Sequence, residues 1–177
     1  MNVKHCTVII SVLLIIGYLL SGCNKQEATG NSLTVSEMAE QIQTSISFDY
    51  YPDMSVDTDT LESLFGLTPD MYDDYFCEMP MISVHSDMLM IVKPKEDKRR
   101  EVLTALQSYL DYQKNEALQY PVNAVQVKAS EIYEKDGYIY YIALFGDTTA
   151  AEDDDSKLLA LCQERTQEVI SIIDEAS

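Results

Sequence analysis

The tripeptide Lys135-Asp136-Gly137 constrains this chain more than any other part of it. An Asp-Gly pair supplies the two positive-φ positions of a tight hairpin turn. On either side lie runs rich in β-branched and aromatic residues, Val125–Tyr133 and Tyr138–Phe145, which therefore pair as antiparallel strands. A third strand is expected over Met81–Val92, where Ile82, Val84, Met88, Met90 and Val92 fall on one side.

The remaining periodicity is helical. Thr34 and Glu37 have the spacing of a capping box, with Leu33 and Met38 placed as a hydrophobic staple. Val35, Met38, Ala39, Ile42 and Ile46 then mark one apolar helix face. Asp49–Thr60 is irregular and acidic. A short helix near Leu61–Phe65 is stopped by Gly66, and another is expected to start at Thr68-Pro69-Asp70, with proline at the first helical position. A long helix follows Lys95, with core positions Val102, Leu106, Tyr109, Leu110 and Ala117, and Tyr120-Pro121 ends it. The last helix, after the polar loop Asp147–Asp155, carries Leu158, Leu161, Cys162, Val169, Ile172 and Ile173 inward. The sum is a two-layer α+β fold. It has a small, mostly antiparallel sheet of about three strands (81–92, 125–133, 138–145), with helices (35–47, 95–118, 156–175) on one face.

The first 22 residues stand outside that fold. A short N-terminal segment with Lys4 precedes an apolar stretch, Val8–Leu20; its length of about 13 residues suits a secretory signal and falls short of a stable span. It ends in Leu20-Ser21-Gly22-Cys23, a lipobox: a branched apolar residue, two small residues, then cysteine. Cleavage is expected between Gly22 and Cys23, with a diacylglyceryl group on the Cys23 thiol. Two acyl chains anchor stably where one binds marginally. Asn24–Ser32 is polar and reads as a tether reaching very roughly 15–20 Å as a coil. Residues 33–177 then form one extracytoplasmic domain, held at the outer face of the cell membrane.

The formal charge of −18 bears on partners. Loss of residues 1–22 removes only Lys4, so the mature chain is more acidic by one unit. Such a surface is repelled by nucleic acid, which is bound through phosphate neutralisation, and stands off from anionic lipid and wall polymers. Of the four cysteines, Cys6 leaves with the signal and Cys23 is acylated. Cys77 and Cys162 remain, either paired in an oxidising location or buried as free thiols.

Several segments together resemble a known family. They are Leu61–Leu67, Tyr72–Tyr75, Pro80–Val92, the charged helix after Lys93, and the hairpin ending Gly137-Tyr138-Ile139-Tyr140-Tyr141. This order is similar to the domain of unknown function 4358 of Gram-positive lipoproteins, over roughly Ser36–Asp147. The resemblance implies no agreed activity and no catalytic residues. It does suggest proximity to membrane O-acyltransferases that decorate exported polysaccharides.

Candidate sites are few. His85 is the only histidine left after cleavage; with Asp87 beside it and Cys77 upstream it suggests a Cys/His pair, though no third orienting group is marked. One histidine and one cysteine fall short of a zinc set. Asp53, Asp57, Asp59 and Glu62 are close in sequence but lack the glycine and final glutamate of an EF-hand, and Asp57 and Asp59 serve equally as helix caps. Glu152–Asp155 has the same reading at the start of the last helix. Lys93, Lys95, Lys98, Arg99 and Arg100 form the one basic cluster, either a partner-docking patch or a solvated helix face. Tyr138 and Tyr140 share one side of a strand and Tyr141 takes the other. No hydrolase, zincin or phosphate-loop motif occurs. No catalytic residue, cofactor or metal is assigned. The expectation is a non-enzymatic binding or adaptor domain for a protein or envelope component, with a role in envelope polysaccharide modification as the alternative.

Overall fold

The computed structural model describes residues 33–82 and 85–176, all within the unit Leu33–Ser177. The signal segment, the Gly22–Cys23 junction and the tether lie outside the described residues, as does Val84. Helix α1, Val35–Ser45, starts at the expected capping box: Glu37 N–H donates to Thr34 Oγ1 at 3.2 Å and Thr34 N–H to Glu37 Oε2 at 2.8 Å. Strand β1, Met54–Ser55, leads into α2, Thr58–Phe65, which Asp57 caps by accepting the Thr60 N–H at 2.8 Å. Gly66, at φ 70°, closes α2 in the left-handed conformation that suits glycine. Strands β2, Tyr72–Met79, and β3, Met88–Pro94, precede the long helix α3, Arg99–Asn115. Pro121 opens the short helix α4, Pro121–Gln126, and a 3₁₀ turn, Val127–Ala129, follows it. Strands β4, Glu131–Lys135, and β5, Tyr138–Ala143, are joined by the expected turn, with Asp136 at φ 48° and Gly137 at φ 89°. Helix α5, Asp155–Glu175, begins where Asp154 accepts the N–H groups of Ser156 and Lys157.

The fold is α+β, but the sheet has five strands in the order β1-β2-β3-β5-β4, all antiparallel. Two strands lie outside the expected three: the two-residue β1, within the stretch expected to be irregular, and β2, where the sequence predicts a helix. Thr68-Pro69-Asp70 builds a turn instead, closed by Met71 N–H on the Thr68 carbonyl. The following Tyr-Asp-Asp-Tyr-Phe run is aromatic-rich and pairs with β3, with a bulge between Tyr72 and Asp74. Two expected strands are shorter than read: Met81–Val92 enters the sheet only at Met88, and Val125–Tyr133 spends its first residues in α4 and the 3₁₀ turn. Proline at the first position of α4 and the inward burial of Val125 and Val127 explain the latter.

Helices cover both faces of the sheet, not one. Met88, Met90, Val92, Tyr141 and Cys77 share a buried layer with Leu61 and Phe65 of α2, Leu106 of α3 and Leu158 of α5. Leu89, Ile91, Tyr138 and Tyr140 face the other way, onto Met38 and Ile42 of α1 and Val169 and Ile173 of α5. Helix α5 thus serves both layers and runs beside β4, tied to it by Gln167–Glu131 and Tyr133–Asp174 hydrogen bonds. Double coverage is why β3 reads Met-Leu-Met-Ile-Val, a continuous apolar run. At the opposite margin β1 is only two residues long, a short edge that offers little to a foreign strand.

Candidate cleft around His85 and Asp87

Where β3 begins and β5 ends, three loops converge. His85-Ser86-Asp87 enters β3, Phe145-Gly146-Asp147 leaves β5, and Asp49-Tyr50-Tyr51 crosses nearby. Asp87 holds the first two together. Its Oδ1 accepts the N–H groups of Phe145 at 2.7 Å and Gly146 at 2.9 Å, in a side chain only 2% exposed. Burial pushes the Asp87 carboxyl above its usual range, against the lowering effect of those two donors, His85 and Arg165. Oδ2 has no hydrogen-bond partner, and neither has Arg165 Nη1. Gly146 sits at φ 57°, where a Cβ would come within 2.7 Å of the Asp49 carbonyl oxygen, so the third loop abuts the turn directly. Tyr51 then meets the exposed His85 ring, centroids 4.7 Å apart and tilted by 51°.

A directional hydrogen-bond chain runs behind these loops. Ser86 Oγ donates to Gln126 Oε1 at 2.9 Å, Gln126 Nε2 to Thr148 Oγ1 at 2.9 Å, and Thr148 Oγ1 to Glu152 Oε1 at 3.0 Å. The single Thr148 hydroxyl proton goes to the Glu152 carboxylate, so Thr148 accepts from the Gln126 amide nitrogen, which fixes the amide orientation and leaves its second N–H uncommitted in this chain.

Two hollows open beside the His85 loop, sharing His85 and Asn123. One, of about 340 Å³, is lined by Tyr51, Tyr120, Gln126, Thr148 and Glu152. The other, of about 320 Å³, is lined on the sheet side by Met54, Met79, Met81 and Met88, and on the helical side by Tyr109 and Gln113. This is a concave site with convergent polar groups and a perturbed carboxylate. Among the described residues it shows no paired nucleophile and base. Among the described residues no hydroxyl or thiol is hydrogen-bonded to the His85 ring, and the Ser86 hydroxyl is committed to Gln126.

The other expected site residues lie elsewhere. Cys77 and Cys162 are free and buried in the same apolar layer, not joined as a disulfide. Burial pushes both thiols up to about 12, the opposite of an activated cysteine. The basic cluster sits at the far end of β3. Lys93 lies over the Tyr138 ring, Lys95 donates to the Asp70 carbonyl at 2.9 Å, Lys98 pairs with Glu101 and Arg99 with Glu134. Arg100 is exposed. The cluster is largely spent on contacts within the chain. The acids behave as caps and loop ties: Asp57 caps α2, Asp154 caps α5, and Asp53 accepts the Met81 N–H at 2.8 Å. Among the described residues no three His, Cys, Asp or Glu side chains are grouped to hold a metal ion. Cys23 lies outside the described residues, among which no helix is long and apolar enough to cross a membrane.

Sequence reading named His85 but passed over Gln126, Thr148 and the methionines, which meet only through the five-stranded topology. Asp87 carried a usable signal, an acid placed just ahead of a continuous apolar run.

The fold is an α+β domain: a five-stranded antiparallel sheet covered on both faces, with paired hollows at one end. The chain matches the domain of unknown function 4358 over residues 46–144, more than half of its 177 residues, and belongs to that family. No curated protein and no solved structure matches it.

Proposed function

We propose that this protein is a lipid-anchored extracytoplasmic binding domain whose ligand is a neutral, polyhydroxylated segment of an envelope polysaccharide. The observation that carries the reading is the hollow lined by Gln126, Thr148 and Glu152 of the hydrogen-bond chain together with Tyr51 and Tyr120. Sugar hydroxyls are both donors and acceptors, and fixed amide and hydroxyl groups answer both. The apolar C–H face of a sugar ring rests on an aromatic ring, and Tyr120 is 60% exposed and available for this. Asp147 and Glu152 in the wall, and the charge of −18 overall, disfavour an anionic polymer. The Cys23 lipid and the short tether hold the domain at the membrane, where a polysaccharide is exported.

A second reading, a catalytic role in modifying that polysaccharide, draws on the Asp87 carboxyl beside His85. The missing nucleophile–base pair puts binding ahead of it.

The test uses the full-length lipoprotein in vesicles and purified neutral envelope polysaccharide. Tyr51→Ala and Gln126→Ala should each weaken retention of the polysaccharide by roughly tenfold, the order expected when a few fixed contacts carry specificity. Equal retention by these variants would contradict the reading. Cys23→Ala should abolish lipid labelling and leave unprocessed precursor; normal labelling would overturn the anchor.

A further inference from the structure

The methionine-lined hollow holds a donor set that carbohydrate binding does not use. Met54 and Met79 are directly opposed on β1 and β2. The β2–β3 register, Cys77 opposite Met90 and Glu78 opposite Leu89, continues by one step to set Met79 beside Met88. Three thioethers therefore form a row across three strands on one sheet face, at the ~4.8 Å spacing of neighbouring strands. Met81, His85 and Asp87 line the same hollow.

Methionine is commonly a filler of irregular core space. That account suits Met38, Met71 and Met90, which are buried in the core, and Met88 is as buried at 4% although it also lines the hollow. It does not suit Met81 and Met54, which are 71% and 40% exposed while lining the same hollow as Met79 and Met88. Asp87 lines the same hollow, is 2% exposed, and its Oδ2 has no hydrogen-bond partner. Among the described residues no ion pair joins it to Arg165, whose charge acts on it from farther away.

Thioethers are soft, uncharged donors. They bind calcium or magnesium poorly, and zinc prefers thiolate and imidazole, whereas copper(I) accepts thioether and imidazole together. Unbranched side chains with three rotatable bonds let sulfurs of neighbouring strands converge on one ion. A single positive charge also suits a strongly acidic protein. We propose that this hollow binds one copper(I) ion through the Met54–Met79–Met88 row, with His85 or Met81 completing the set. The site does not depend on the carbohydrate reading, since the Met54–Met79–Met88 row lines only this hollow and not the one beside Tyr51 and Tyr120.

The experiment uses the full-length lipoprotein in detergent under anaerobic conditions, with copper(I) presented in a coloured chelator complex. The protein should withdraw one equivalent. The double variant Met79→Leu/Met88→Leu preserves side-chain volume and should hold copper at least roughly tenfold more weakly, since even outer-shell changes cost that much at metal sites. In the unsubstituted protein with ¹³C-methyl methionine, silver(I), a redox-inert stand-in, should shift the methyl signals of Met54, Met79 and Met88. Those of Met38, Met71 and Met90 should stay in place. No withdrawal, equal withdrawal by the double variant, or loss of binding on Cys77→Ala alone would each overturn the site. The Tyr120→Ala protein, altered only in the other hollow, should retain polysaccharide less well and bind copper normally, so failure of one proposal is distinguishable from failure of the other.

Discussion

Replacing Asp87 separates its two roles, acceptor and charge. In Asp87→Ala the N–H groups of Phe145 and Gly146, bonded at 2.7 and 2.9 Å, lose their acceptor in a buried setting. Each orphaned donor costs about 1–3 kcal/mol, so the loss is about 2–6 kcal/mol in total. That is a large share of the ~5–15 kcal/mol stability of an ordinary domain. Asp87→Asn keeps an acceptor oxygen at Oδ1 and removes the ionisable group, so it should fall within about 1 kcal/mol of the parent. The comparison also has a pH signature. Burial raises the folded-state carboxyl above its unfolded value, so between those two values the folded state holds more protons. The parent's stability therefore falls as pH rises through that window, and Asp87→Asn escapes the fall. Urea unfolding of the chain from Leu33 onward, at several pH values above about pH 4, measures both effects, starting near the unfolded-state carboxyl value. Asn as damaging as Ala, or a parent that gains on Asn as pH rises, would show that charge pairing with Arg165 dominates.

Two glycines that look alike in sequence should behave differently. Gly146→Ala combines φ 57° with a Cβ 2.7 Å from the Asp49 carbonyl oxygen and should cost about 2–5 kcal/mol, strain and overpacking together. Gly66→Ala has φ 70° but open space around it and should cost only about 1–2 kcal/mol in the same assay; equal losses would refute the close approach. The thiols Cys77 and Cys162, each pushed up to about 12 and buried, should resist a thiol reagent near pH 8. In the chain from Leu33 onward both should then react on denaturation without reductant. Absence of reaction in that denatured sample would reveal a disulfide.

Local signals in the sequence were reliable where the structure is local. The Thr34–Glu37 box, the Asp136-Gly137 turn, the Gly66 stop and the split of Tyr138 and Tyr140 from Tyr141 all appear as read. Errors arose where tertiary pairing overrides a local pattern. Thr68-Pro69-Asp70 has the chemistry of a helix start, but β3 offered the next residues a strand partner. The apolar runs Met88–Val92 and Tyr138–Phe145 carry the sign of a sheet buried on both faces, where alternation alone predicts one covered face. The cleft was the least legible part. Ser86 lies 40 residues from Gln126 and Gln126 lies 22 from Thr148, and the methionine row depends on β2, where the sequence predicts a helix. Nothing in a local pattern joins them.

The central claim, that the hollow beside His85 takes a neutral polyhydroxylated ligand, is most directly tested by titrating envelope polysaccharide into the isotope-labelled domain. Chemical shifts should move at Tyr51, at His85 and at the Gln126 side-chain amide, which stand together around that hollow. The basic end of β3, around Lys93 and Lys95, should stay unchanged. Movement confined to Lys93, Lys95, Lys98, Arg99 and Arg100, or none anywhere, would contradict the account.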